Sequence, residues 1–95
     1  MSRYLTQKQI YIALDVLADH IDGMTIPGLY DVCRTVAPVE FTPDYGTFRV
    51  FIGAAIDSKL IEIDGDMGSM YRVPKITVGI ACYEWLATWR DQHDE

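Results

Sequence analysis

At Leu60 the spacing of the apolar residues changes from helical to alternating, and no other feature of the chain constrains its fold as much. Before that point hydrophobic residues recur every three or four positions, the period of a helix with one buried face. Beyond it, Leu60-Ile61-Glu62-Ile63 and Met70-Tyr71-Arg72-Val73 alternate around the turn-forming cluster Asp64-Gly65-Asp66-Met67-Gly68. Two alternating runs around a Gly-rich turn predict a β-hairpin, with Pro74 closing its second strand. The chain therefore belongs to the α+β class and is mostly helical.

The helical part divides at its start and stop signals. Thr6 and Gln9 form the two ends of a capping box, in which a hydroxyl and an amide satisfy orphan backbone N–H groups. Ile10, Ala13, Leu14, Leu17, Ala18 and Ile21 share one face, while Lys8, Asp15, Asp19 and Asp22 lie off it. A helix is predicted from Gln7 to Asp22, stopped by Gly23 in a left-handed conformation. Thr25 caps a second helix with Pro27 in its first turn and Leu29, Val32, Cys33 and Val36 as its stripe, ended by Pro38. A third is capped by Thr42, with Pro43 first and Asp44 complementing the dipole. It buries Tyr45, Phe48, Ile52, Ala55, Ile56 and Leu60, and its other side is small and weakly polar: Thr47, Arg49, Val50, Gly53, Ala54 and Asp57. A glycine kept inside a helix marks a place where another backbone comes close, so Gly53 is a contact candidate. From Thr77 a last helix is expected to about Gln92, with the residues from Arg90 onward fraying.

This order of elements resembles the winged-helix variant of the helix-turn-helix, over Thr6 to about Trp89, as a single domain spanning residues 1–95. Thr25-Ile26-Pro27-Gly28-Leu29-Tyr30 is similar to the start of that family's second helix. Ser58-Lys59-Leu60-Ile61-Glu62-Ile63 is similar to the exit of its third helix into the wing. Element order and length carry the resemblance, and another small α+β arrangement is the alternative. The resemblance implies a helix-turn-helix formed by the second and third helices, a hairpin wing, and homodimer contacts through the terminal helix.

Charge cuts against the nucleic-acid chemistry that the resemblance also implies. Eight Lys and Arg face 14 Asp and Glu, a net charge of −6, which disfavours attraction to polyanions or anionic membranes. Locally the third helix is neutral: Arg49 and Lys59 offset Asp44 and Asp57. The wing is acidic, with Glu62, Asp64 and Asp66 against Arg72. Each phosphate neutralised contributes about one unit of salt slope, so Arg34, Arg49 and Arg72 would suffice only if a dimer doubled them.

Catalytic and metal chemistry find no constellation. Cys33 and Cys82 lie on apolar stripes without CxxC or Cys/His spacing, and read as buried free thiols, with a bridge between them as the alternative. Asp64-Gly65-Asp66 lacks the oxygen ligands of a calcium loop, whose twelfth position would here be Lys75. His20 reads as a surface or capping histidine, and His93 sits in the tail. No nucleophile elbow, zinc-protease or phosphate-loop motif is present, so no enzyme activity, metal or cofactor is expected. Neither a signal peptide nor the roughly 18 apolar residues of a membrane span is visible, and the expected location is the cytoplasm.

The last helix is apolar on two sides: Trp85 and Trp89 share one with Val78 and Cys82, and Ile80, Tyr83 and Ala87 take the other. Either Tyr83 covers the start of the first helix or a second copy packs there. A homodimer interface of Ile80, Tyr83, Trp85 and Trp89 is the expectation. The expected function is a non-enzymatic regulator or adaptor that binds a protein through Thr47, Arg49, Val50, Gly53, Ala54, Asp64 and Asp66. One form would be an acidic inhibitor of a nucleic-acid-binding protein. The alternative is a dimeric transcription regulator that reads DNA with Thr47, Arg49 and Ser58, positioned by Arg34, Lys59 and Arg72.

Overall fold

A computed structural model describes residues 4–64 and 74–93. The elements run α1 (Gln7–Ala18), β1 (Met24–Thr25), α2 (Ile26–Val36), α3 (Tyr45–Asp57), β2 (Ile61–Asp64), β3 (Lys75–Val78) and α4 (Ile80–His93). Among the described residues the strands form one antiparallel sheet in the order β1-β3-β2. Among the described residues the architecture is thus α+β and mostly helical, with four helices packed around a three-stranded sheet.

The capping box forms as the sequence requires. The Thr6 hydroxyl accepts from the Gln9 amide at 3.2 Å, and the Gln9 side chain accepts from the Thr6 N–H at 2.9 Å. The first helix nevertheless stops at Ala18 rather than Asp22. The His20 ring donates to the Val16 carbonyl at 2.9 Å, a C-terminal acceptor that also takes the Asp19 N–H at 3.2 Å. Ile21 is 87% exposed and has no buried stripe to extend. Gly23 is left-handed at φ +90° but leads into β1 instead of ending the helix; a side chain there would press on Ile76.

Thr25 caps α2 by accepting from the Gly28 N–H at 3.1 Å. The cap of α3 is Asp44 rather than Thr42, which places Pro43 outside the helix; the Asp44 carboxylate accepts from the Thr47 N–H at 2.7 Å. A carboxylate at the N-cap combines the hydrogen bond with the dipole attraction, an advantage a hydroxyl lacks. Leu29, Tyr30 and Cys33 from α2 and Phe48, Ile52 and Ala55 from α3 enter one core with Leu14, Leu17, Phe41 and Ile76. Val36 stays 60% exposed because the last turn of α2 overhangs that core.

The largest departure from expectation concerns the second strand. It is Lys75–Val78, after Pro74, where a helix start had been expected. Met70–Val73 and the turn 65–68 lie outside the described residues. Ile76-Thr77-Val78 is a run of three β-branched residues, stiff at χ1 and suited to a pleated surface. Ile76 is fully buried between Met24 of β1 and Ile63 of β2 in register. The last helix begins at Ile80 and continues through His93, where fraying had been expected from Arg90. Arg90 holds Asp15 of α1 at 3.1 Å, and His93 stacks on Trp89 at 3.6 Å.

One junction joins both halves. Lys59 has φ +68°, a left-handed conformation that costs a non-glycine residue about 1 kcal/mol. Its carbonyl accepts from the Ala81 N–H at 3.0 Å, and the Leu60 carbonyl accepts from the Gly79 N–H at 2.8 Å. A Cβ at Gly79 would run into the Lys59 carbonyl, so the two chain segments touch only because residue 79 has no side chain. At Gly53, by contrast, nothing lies within 4 Å of an added Cβ. Gly79→Ala is therefore expected to destabilise by about 2–3 kcal/mol through overpacking, whereas Gly53→Ala stabilises by about 0.5–1 kcal/mol through helix propensity. Urea unfolding of the two variants checks both signs.

Candidate functional site: the outer face of the third helix

Phe48, Ile52 and Ala55 point inward, so the helical repeat turns Arg49, Val50, Gly53, Ala54 and Asp57 outward. Val50 is 62% exposed, Ala54 and Arg49 are exposed, and Gly53 opens onto free space. Beside this face runs an apolar groove of about 280 Å³. One wall is Tyr4, Leu5 and Ile10; the other is Val50, Phe51, Ala54 and Ala55, with Ser58 and Leu60 at the end. Among these side chains only Tyr4 and Ser58 carry a polar atom, and the Ser58 hydroxyl donates to the Ala55 carbonyl at 3.3 Å. No titratable acid or base lines the groove apart from the Tyr4 phenol.

The near wall went unrecognised in the sequence, although a signal for it exists. Leu5 and Ile10 flank the capping box at the positions before the cap and four into the helix, the two positions of a hydrophobic staple. Such a pair fixes how the chain enters α1, and here it also forms one side of the groove. Phe51 packs on Phe48 at 6.2 Å between centroids, and its half-buried ring supplies the floor.

The polar residues expected beside Val50 are differently employed. Thr47 is half-buried, and its N–H and hydroxyl both serve the Asp44 cap. Arg34 is exposed on α2 with its guanidinium 5.6 Å from the Tyr30 ring centre on the same helix, and the Tyr30 hydroxyl donates to the Pro43 carbonyl at 2.8 Å. Ser58 and Lys59 are exposed at the end of α3, with Asp57 beside them. Asp64 is exposed at the end of β2, in register with Lys75. Asp66 and Arg72 lie outside the described residues.

The terminal helix divides its apolar residues as the 100° repeat requires. Ile80 and Tyr83 are 82% and 63% exposed. Trp85 and Trp89 are half-buried: Trp85 packs on the core, and Trp89 stacks on Tyr11 at 5.5 Å and on Trp85 at 5.8 Å. Of the four residues expected at a dimer interface, two thus have aromatic partners within the chain and two do not.

Cys33 and Cys82 are free and fully buried. Burial pushes the Cys33 thiol up to about 12, and burial also raises Cys82, against the pull of Arg90. Both therefore remain neutral thiols at physiological pH, the unreactive form. No group of three or more His, Cys, Asp or Glu among the described residues is placed to hold a metal ion. No helix of the described residues is long and apolar enough to cross a membrane. Asp44, the cap of α3, has its carboxyl held below its ordinary value of 3.8 by hydrogen bonds from Thr47. A depressed carboxyl stabilises the fold above its unfolded value, and that contribution disappears as pH falls through the folded value. Asp44→Ala should accordingly lower the thermal midpoint at neutral pH, with the gap from the parent closing below pH 3.8, as followed by circular dichroism.

Compared with known protein families, curated proteins and solved structures, the chain finds no match in any of the three.

Proposed function

We propose that this chain is a cytoplasmic winged-helix domain that acts without catalysis, as a regulator or adaptor binding a protein through the outer face of α3 and the acidic wing. The order α1-β1-α2-α3-β2-β3-α4 supports the winged-helix reading, with α2 and α3 as the helix-turn-helix pair and β2 and β3 as the base of the wing. Two free buried thiols fit a reducing compartment. The observation that carries the function is the character of the exposed α3 face. Val50, Gly53 and Ala54 stand beside an apolar groove at the position where a DNA-reading helix of this family needs donors and cations.

An apolar, concave patch flanked by exposed charges is what a partner's hydrophobic side chain fills, burying roughly 25 cal/mol for each Å² removed from water. Phosphates find little here. Arg49 is one exposed cation on the face, Thr47 serves its own helix cap, and Arg34 lies over Tyr30. The acidic composition suits an inhibitor that occupies a basic, nucleic-acid-binding surface on its target.

The test compares two variants of the immobilised chain against cell extract and against duplex DNA. Val50→Asp should abolish recovery of a specific protein while leaving the helical spectrum intact. Retardation of duplex DNA that weakens with salt and is lost in Arg49→Ala would replace this reading with the DNA-binding one.

Self-association through α4 belongs to the same proposal, carried by the exposed pair Ile80 and Tyr83. Sedimentation at micromolar concentration should give about twice the 10.8 kDa chain mass. Tyr83→Asp should return it to the monomer, and a parent chain sedimenting at one mass removes the dimer.

A further inference from the structure

We propose that the cleft between α4 and the start of α1 is a second contact surface, built to take arginine side chains from a basic segment of the protein partner. The proposal rests on the protein-binding reading and adds the partner's chemistry. The cleft, about 370 Å³, has Trp85 and Trp89 as its wall, Glu84 as its one charged lining residue, and Gln7, Thr88 and Gln92 around it. The two indoles are parallel to within 5°, with centroids 5.8 Å apart, and Trp89 is held in place by Tyr11 and His93 stacked against it. The wall is therefore ordered before anything binds, which lowers the entropy cost of binding.

A guanidinium matches each part. Its planar, weakly hydrated cation packs against the indole wall, its outward N–H groups suit a carboxylate, and amide and hydroxyl oxygens accept the remainder. A lysine ammonium brings charge without the planar stack. An anion meets both the Glu84 carboxylate and the negative faces of the rings. Arg90, six residues on from Glu84, pairs with Asp15, and Lys8, beside the lining residue Gln7, pairs with Glu40, each at 3.1 Å. The net charge of −6 draws a basic segment towards the surface in the same sense.

Both tryptophans of the chain line this cleft, so indole fluorescence reports on its occupation. A capped tri-arginine peptide titrated into the full chain at low salt should change the fluorescence saturably and bind about fivefold tighter than its tri-lysine counterpart. Glu84→Gln should weaken tri-arginine by about fivefold, whereas Asp31→Asn, the same charge change at an exposed position of α2, should leave it unaltered. Equal binding of the two peptides, equal loss in the two variants, or no saturable change would each overturn the proposal. Val50→Asp separates it from the α3 reading. That variant should lose the protein partner yet keep tri-arginine, and loss of the partner without any tri-arginine binding removes the cleft alone.

Discussion

The commitment of one face of α3 to the core is the constraint on which the rest of the molecule depends. Phe48 is fully buried and meets Tyr30, Phe41 and Phe51 at centroid distances of 5.4, 5.8 and 6.2 Å, while Tyr45 adds an edge contact to Tyr30. Burying a side chain of this size contributes roughly 1.5–3 kcal/mol, and aromatic pairing adds to it. With Ile52 and Ala55 pointing the same way, the rotation of α3 about its axis is fixed. A 100° step per residue then leaves Val50, Gly53 and Ala54 on the outside regardless of what they do there. The exposed apolar face is thus a geometric consequence of the core, and its composition is what gives it meaning.

The sheet performs the second ordering step. β3 sits between β1 and β2, so its backbone is bonded on both sides, and Ile76 is sealed by the strands that flank it. Its end is welded to the exit of α3 through the paired contacts at Lys59, Leu60, Gly79 and Ala81. That weld fixes where α4 begins and therefore which of its residues meet α1. Trp89 lands on Tyr11 and Arg90 on Asp15, while Ile80 and Tyr83 are turned away. Two surfaces with different chemistry result: an apolar one along α3 and an aromatic, anionic one along α4.

Where local rules and the finished fold agree, the deciding interactions are short in sequence. The capping box at Thr6 and Gln9, the Thr25 cap and the stripes of α1 to α3 lie within one or two turns, and the α+β class follows from them. Where they part, a distant partner intervenes. Thr77 reads as a helix start until Ile61, Ile63 and Met24 are brought alongside to pair with its strand. Met24–Thr25 is too short to signal a strand at all and exists only because β3 offers it an edge. The groove has the same history: Val50 and Ala54 follow from the repeat of α3, but Leu5 and Ile10 join them only when α1 packs alongside.

The sequence alone determined the helical faces, the neutral third helix, the acidic balance and the burial of both cysteines, because each depends on residue type and on a repeat of a few residues. Tertiary structure decided which strand pairs with β2, where α1 stops, which of the α4 aromatics are occupied, and that an apolar groove opens beside Val50. Those outcomes depend on which surfaces, far apart in the chain, exclude water from one another, and no local spacing encodes that.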